Sequence, residues 1–374
     1  MNRRERMAYH LLVFHSLLSS FVKVQPQRPL ASALYIFGDS INDNGNNNFI
    51  AALAKANYPP YGIDFPGGAT GRFTNGLTTT DIIAQLLKLP LPPPYLSLSA
   101  TNTSEILTGA NYASGGGGIL EESGSPLQAR LSFNQQLNLF EKTVQQDLPP
   151  LFNSSRALQD HLAKAIFVVE FGTIDYLFNY LLPEFFNTSR DLSPPAFARI
   201  LLQNFSQQLT RLYNLGARKI VVMGLSALGC TPNQIIRQGT GGSCSDVVNY
   251  QIIAPFNIQL PFLLNRLRFT LRGSIFVFEN VFRAFTSIIS NPSRYGFTIT
   301  NKACCSANMN GTLLCLPNLP TCTNRNQFVF YDGIHPTQNV NILMSQACFN
   351  GSTYVCSPIN IQQLARAQIP NRRK

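Results

Sequence analysis

The stretch Ala33-Leu34-Tyr35-Ile36-Phe37-Gly38-Asp39-Ser40 decides how this chain is read. Five apolar, mostly β-forming residues stop abruptly at Gly, Asp and Ser, the pattern of a buried strand running into a sharp turn. A serine there stands at the carboxyl end of a strand, the edge where open α/β sheets place their ligands. The run that follows, Ile41-Asn42-Asp43-Asn44-Gly45-Asn46-Asn47-Asn48, is too polar and turn-prone to continue the strand. Taken alone, Gly-Asp-Ser is most often an ordinary turn. Reading Ser40 as a nucleophile therefore depends on the rest of the chain.

Further apolar runs follow the same plan. Ile166–Phe171, Lys219–Gly224 and Ser274–Phe278 read as buried strands, and Asn111 to Gly118 as a short strand end running into glycines. Between them, 81–89 has helical spacing with a cap expected at Thr80. Residues 196–214 and 247–272 also read as helices, the latter despite Pro255 and Pro261, while the proline-rich segment 90–97 reads as an extended connector. Continuously apolar strands alternating with helices imply an α/β fold with a parallel sheet covered on both faces. No linker or repeat divides the chain, so one domain is expected over residues 30–362 with long loop insertions, followed by a basic tail at 363–374.

Composition narrows the class. With 45% hydrophobic and 13% charged residues among 374, the chain is globular and disorder is excluded. No run of about 18 uncharged apolar residues occurs, so no membrane-spanning helix is expected. Residues 1–25 read as a signal peptide: Arg3, Arg4 and Arg6 precede the apolar stretch Leu11 to Val22. Eight cysteines, six of them in the last quarter, include no CxxC pair and have few histidines beside them. Disulfides in an oxidising compartment fit better than zinc. Cys230 with Cys244 would close a loop around Gly239-Thr240-Gly241-Gly242; the other pairings are open. Asn102, Asn153, Asn187, Asn204, Asn310 and Asn350 each begin an Asn-x-Ser/Thr sequon. All three signals agree on a secreted glycoprotein. The net charge of +11 is spread along the chain without aromatic interleaving, so it suits anionic surroundings rather than a nucleic-acid partner.

Acyl transfer by a serine needs a base, a group to orient the base, and donors for the oxyanion. Beyond the leader only His161 and His335 can act as the base. His161 lies in the polar stretch Asp160-His161-Leu162-Ala163-Lys164 and reads as a solvated surface residue. His335 lies in Tyr331-Asp332-Gly333-Ile334-His335-Pro336-Thr337 after the apolar Phe328-Val329-Phe330. Asp332, three residues ahead, can reach the imidazole Nδ1. A blind Asp-x-x-His is more often a structural hydrogen bond; combined with Gly-Asp-Ser near the other end it becomes specific.

These motifs resemble those of a plant-type member of the GDSL esterase/lipase family, within the SGNH hydrolases. The resemblance runs from Ala33 to Leu364. It is carried by Phe37-Gly38-Asp39-Ser40 with Asp43-Asn44-Gly45-Asn46-Asn47, by Thr70-Gly71-Arg72-Phe73-Thr74-Asn75-Gly76, by Asn111-Tyr112-Ala113-Ser114-Gly115, by Gly224 to Cys230, and by Asp332 to Thr337. It implies a three-layer α/β/α sandwich with a mostly parallel, flavodoxin-like sheet, and hydrolysis of carboxylic esters through an acyl-enzyme. Carried over by position, Ser40 is the nucleophile, His335 the general base and acid, and Asp332 its orienting partner. The oxyanion hole would use the backbone N–H groups of Ser40 and Gly115 and an asparagine side chain. No cofactor or metal is implied.

The chain departs from the family at that asparagine. The family's Gly-x-Asn-Asp reads Gly172-Thr173-Ile174-Asp175 here, and Ile174 offers no donor. Losing one oxyanion donor costs about 10²–10³ in kcat. Three readings follow: a slow enzyme, recruitment of another donor such as Thr173 or Asn179, or a catalytically degenerate lipid- or glycan-binding protein. Substrate choice among lipid, cutin-like and acetylated glycan esters lies in loops that sequence does not resolve.

Overall fold

In the computed structural model the apolar runs become strands at closely the expected places. Residues 28–98, 103–308 and 313–369 are described. The leader-like segment 1–25, the Asn102 and Asn310 sequons and the Arg372-Arg373-Lys374 tail lie outside them. The strands are β1 (Leu34–Phe37), β2 (Gly109–Asn111), β3 (Ile166–Glu170), β4 (Lys219–Met223), β5 (Ile275–Glu279), β6 (Ile299–Ala303), β7 (Phe328–Phe330) and β8 (Cys356–Ser357). The main sheet runs β2-β1-β3-β4-β5-β8, parallel except for β8 at one edge. β6 and β7 form a separate parallel pair.

The sheet is buried on both faces, and the alternation of its side chains shows why. Tyr35, Phe37, Phe167, Val169, Ile220, Val222, Phe276 and Phe278 point into one apolar cluster. Leu34, Ile36, Ile166, Val168, Val221, Met223 and Val277 point into the other. Period-2 alternation with apolar residues at both phases is what a doubly covered parallel strand requires. The longer helices are α1 (Thr79–Leu86), α2 (Phe133–Lys142), α3 (Ser155–Lys164), α4 (Pro194–Asn214), α5 (Ala254–Thr270), α6 (Val281–Ser290) and α7 (Gln338–Asn350). Buried residues of α2, α3, α4 and α5 join the first cluster, and those of α6 and α7 the second. The result is a three-layer α/β/α sandwich.

Several local expectations shift. The cap of α1 is Thr78, not Thr80: Thr78 is extended, its side chain accepts the Asp81 N–H, and Asp81 answers by accepting the Thr78 N–H. Thr80 already lies in the first helical turn. Pro255 is accommodated because it falls in the first turn of α5, where its missing N–H has no helical partner to lose. Among the described residues, one helical stretch, Val247–Thr270, is long and apolar enough to cross a membrane by composition. Phe256, Leu260, Leu263, Leu264 and Leu267 of that stretch are buried against the sheet, as in a core helix.

All eight cysteines are paired, as Cys230–Cys244, Cys304–Cys322, Cys305–Cys315 and Cys348–Cys356. The first pair is the one expected from its loop. The strand order places a reversal between β1 and β3, because the chain runs from β1 outward to β2 and then returns to add β3, β4 and β5 on the other side. That switch point opens a crevice at the carboxyl ends of β1 and β3, where Ser40 and Glu170 stand.

Candidate active site

The turn after β1 is built around one close approach. A Cβ on Gly38 would lie 2.9 Å from the Glu170 carbonyl oxygen, so only glycine lets the ends of β1 and β3 pass so tightly. Gln136 of α2 fixes that glycine from both sides, accepting its N–H (3.0 Å) and donating to its carbonyl (2.8 Å). Asp39 then forms an Asx turn, its Oδ1 accepting the Ile41 N–H at 2.9 Å. Between them these bonds fix the backbone on both sides of Ser40.

Ser40 Oγ lies 2.7 Å from His335 Nε2, although 295 residues separate them in sequence. His335 Nδ1 lies 2.7 Å from Asp332 Oδ2 and 2.9 Å from Oδ1. Asp332 Oδ1 also accepts the backbone N–H groups of Ile334 (2.9 Å) and His335 (2.7 Å), which locks the carboxylate onto its own turn. Because Asp332 accepts only, the proton on Nδ1 is donated to it, and Nε2 is left as the acceptor facing the serine hydroxyl. Ser40, Asp332 and His335 are all buried. The Phe73 ring packs 5.1 Å from the imidazole. Thr74 Oγ1 donates to the Pro336 carbonyl, and Asn75 Oδ1 accepts the Gln338 N–H. In this way the segment Thr70 to Gly76 holds the His335 turn in place.

Two neighbours of this arrangement were not singled out by sequence. Tyr61 donates its hydroxyl to Asp332 Oδ2 at 2.6 Å and accepts the Cys315 N–H at 3.0 Å. It sits among prolines in a stretch whose local pattern shows only a turn. Glu170 ends β3, is buried, and faces Asp39; among the described residues Asp39 Oδ2 and Glu170 Oε2 have no hydrogen-bond donor. Burial first, and then the mutual charge, holds Asp39 well above the usual carboxylate range; burial raises Glu170 as well. Thr173 Oγ1 completes the pair by donating to Glu170 Oε1. The signal was present in sequence: a carboxylate closing an otherwise apolar strand.

The expected oxyanion groups are placed as follows. Among the described residues the Ser40 N–H has no acceptor. The Gly115 N–H donates to Asp43 Oδ2 at 2.9 Å, and Asn47 donates to the Gly115 carbonyl, so the Asn-rich run after Ser40 clamps Gly115 on both sides. Burial pushes Asp43 up to about 6, against four backbone N–H donors that favour its charge. Ile174 is buried in the apolar core beside Gly124. Of the two substitute donors, Thr173 is committed to Glu170. Asn179 donates to Ser123 Oγ and accepts from Thr188 Oγ1. His161 is half-buried rather than solvated, because it packs against Phe152 with ring centroids 5.0 Å apart; that burial pulls its pKa below the usual value. It lies at the end of α3 and has no part in this constellation.

Comparison with known proteins agrees with the motifs. Residues 34–348 match the model of the GDSL-like lipase/acylhydrolase family. A GDSL esterase/lipase of Arabidopsis thaliana is 45% identical over 337 residues, covering 90% of this chain and 86% of the relative. Arabidopsis GDSL esterase/lipase 7 is 44% identical over 343 residues, covering 91% and 93%. A third Arabidopsis GDSL esterase/lipase is 40% identical over 370 residues, covering 96% and 98%.

Proposed function

The chain belongs to the GDSL-like lipase/acylhydrolase family and is an ester-hydrolysing serine hydrolase; from that premise we propose that it is a secreted esterase or lipase that cleaves acyl or acetyl esters through an acyl-enzyme on Ser40. The observation that carries this reading is the continuous chain of short contacts from Ser40 Oγ through His335 to Asp332.

In this mechanism His335 Nε2 takes the Ser40 proton as Oγ attacks the ester carbonyl, and Asp332 holds the ring and balances the imidazolium. His335 then returns the proton to the leaving alkoxide. Water, deprotonated by the same nitrogen, attacks the acyl-enzyme and regenerates Ser40. The developing oxyanion would be met by the Ser40 N–H and by the Gly115 N–H, drawn from Asp43, with nothing supplied at Ile174. The four disulfides and the leader-like residues 1–25 support an extracellular setting. Residues 30–362 form the proposed hydrolase domain.

The test is hydrolysis of p-nitrophenyl acetate and butyrate by the purified protein beside its Ser40→Ala variant, with fluorophosphonate labelling of Ser40. Equal rates and no labelling would overturn the enzyme mechanism. That outcome would favour the second reading, which rests on Ile174: an extracellular lipid- or glycan-binding protein on a catalytically degenerate hydrolase scaffold.

A further inference from the structure

Ser40 and Glu170 stand at the carboxyl ends of the strands; the opposite edge of the same sheet carries a second concave feature. Segments leading into β1, β3, β4 and β5, together with residues 365–369 at the end of the short helix Ile361–Arg366, enclose a cleft of about 1270 Å³. That exceeds the roughly 300–1,000 Å³ of an ordinary small-molecule site. Among the described residues six cationic side chains line it, namely Arg28, Arg156, Lys164, Arg218, Lys219 and Arg272, against a single carboxylate, Asp160. Asp160 is engaged in an exposed pair with Arg156.

Lys219 is the most telling of the six. Its residue is only 3% exposed, yet it is held by a backbone carbonyl, that of Ala365, rather than by a carboxylate. Burial, and then the nearby Lys164, pulls its pKa down to about 8. A buried ammonium with cationic neighbours and no anion is an arrangement that an external anion relieves.

We infer that this cleft is a non-catalytic binding site for an acidic polysaccharide, a polyuronate chain whose carboxylates meet the cations while its hydroxyls meet the amides of Gln159, Asn214 and Gln368. Single-stranded nucleic acid and an anionic bilayer fit less well. Among the described residues no aromatic side chain lines the cleft, in contrast to the stacking platforms of single-stranded nucleic-acid sites. The cations line a concavity rather than a projecting face, which a flat bilayer cannot enter. A bound polysaccharide would hold the enzyme on its surroundings while leaving the far edge of the sheet open to substrate.

The experiment uses the purified protein and a galacturonate oligomer as the probe. Its binding is compared with that of the fully methyl-esterified, uncharged oligomer, polyglutamate, single-stranded DNA and vesicles containing anionic lipid. The wild type is expected to prefer the charged oligomer, with affinity falling steeply as salt rises. The pair Lys164→Glu with Arg272→Glu, both exposed, should weaken that binding at least about tenfold while p-nitrophenyl acetate hydrolysis is unchanged. The pair Arg199→Glu with Lys302→Glu, exposed and outside the cleft, makes the same change in net charge and should leave binding nearly intact. Equal loss in the two pairs, absence of binding at low salt, equal binding of the uncharged oligomer, or preference for polyglutamate, DNA or vesicles would each overturn the inference.

Discussion

Tyr61 and Asp332, 271 residues apart in sequence, are joined by a 2.6 Å hydrogen bond from the phenol Oη to the carboxylate Oδ2. The same hydroxyl accepts the N–H of Cys315, whose disulfide to Cys305 fixes the segment behind it. Asp332 therefore takes its orientation from a distant loop as well as from its own turn. Tyr61→Phe removes a donor to a buried charge and strands the Cys315 N–H, a combined cost of about 2–4 kcal/mol. The expected outcome is a kcat about tenfold lower with KM little changed, together with a Tm lower by several degrees. Steady-state kinetics and thermal unfolding of the variant check both; an unaltered kcat would show that Asp332 needs no help from Tyr61.

Ile174→Asn restores a side-chain donor at the position where the resemblance places one. The gain available from such a donor is about 10²–10³ in kcat, so a rise of at least about tenfold on p-nitrophenyl butyrate is expected. Because Ile174 is buried among apolar neighbours beside Gly124, the new amide also costs about 1–3 kcal/mol of stability. A rate that stays level or drops, measured beside the Tm, would show that the oxyanion is served without this position.

Asp39, beside Ser40 and facing Glu170, is held well above the usual carboxylate range by burial and then by the Glu170 charge. A neutral Asp39 resembles asparagine in shape and in hydrogen bonding. Asp39→Asn keeps an acceptor for the Ile41 N–H and donates to Glu170, so kcat should stay within about threefold of wild type. Asp39→Ala leaves the Ile41 N–H and a buried Glu170 carboxylate without their partner, and kcat should fall by about tenfold or more. Similar losses in both variants would mean that the negative charge itself matters.

Glu279 ends β5 fully buried, with both carboxyl oxygens unpartnered among the described residues, and burial pushes it up to about 8. Between the ordinary glutamate value and about 8 the folded protein holds a proton that the unfolded chain has released, so stability falls as pH rises through that window. The size of the effect is about 4–5 kcal/mol across the window. Glu279→Gln abolishes it, so the Tm of the variant should vary less between pH 5 and pH 8 than that of the wild type. Parallel Tm–pH curves for the two proteins would refute the assignment.

What the sequence alone determined were features set by neighbours along the chain. The apolar runs ending at Phe37, Phe171 and Met223 announced parallel strands, because a doubly covered strand needs apolar residues at both phases of its alternation. Ser40, Asp332 and His335 were legible because each lies in a short motif with its own local geometry, as was the loop closed by Cys230 and Cys244. The tertiary structure decided whatever depends on contacts between distant segments. It brought Tyr61 to Asp332 and Glu170 to Asp39, tied the Gly115 N–H to Asp43, and chose the pairings of Cys304, Cys305, Cys315 and Cys322. It also gathered six scattered cations at one edge of the sheet. Spacing along the chain carries no information about such meetings, because parallel strands are joined by long crossovers and their partners are selected by the packing of the whole sheet.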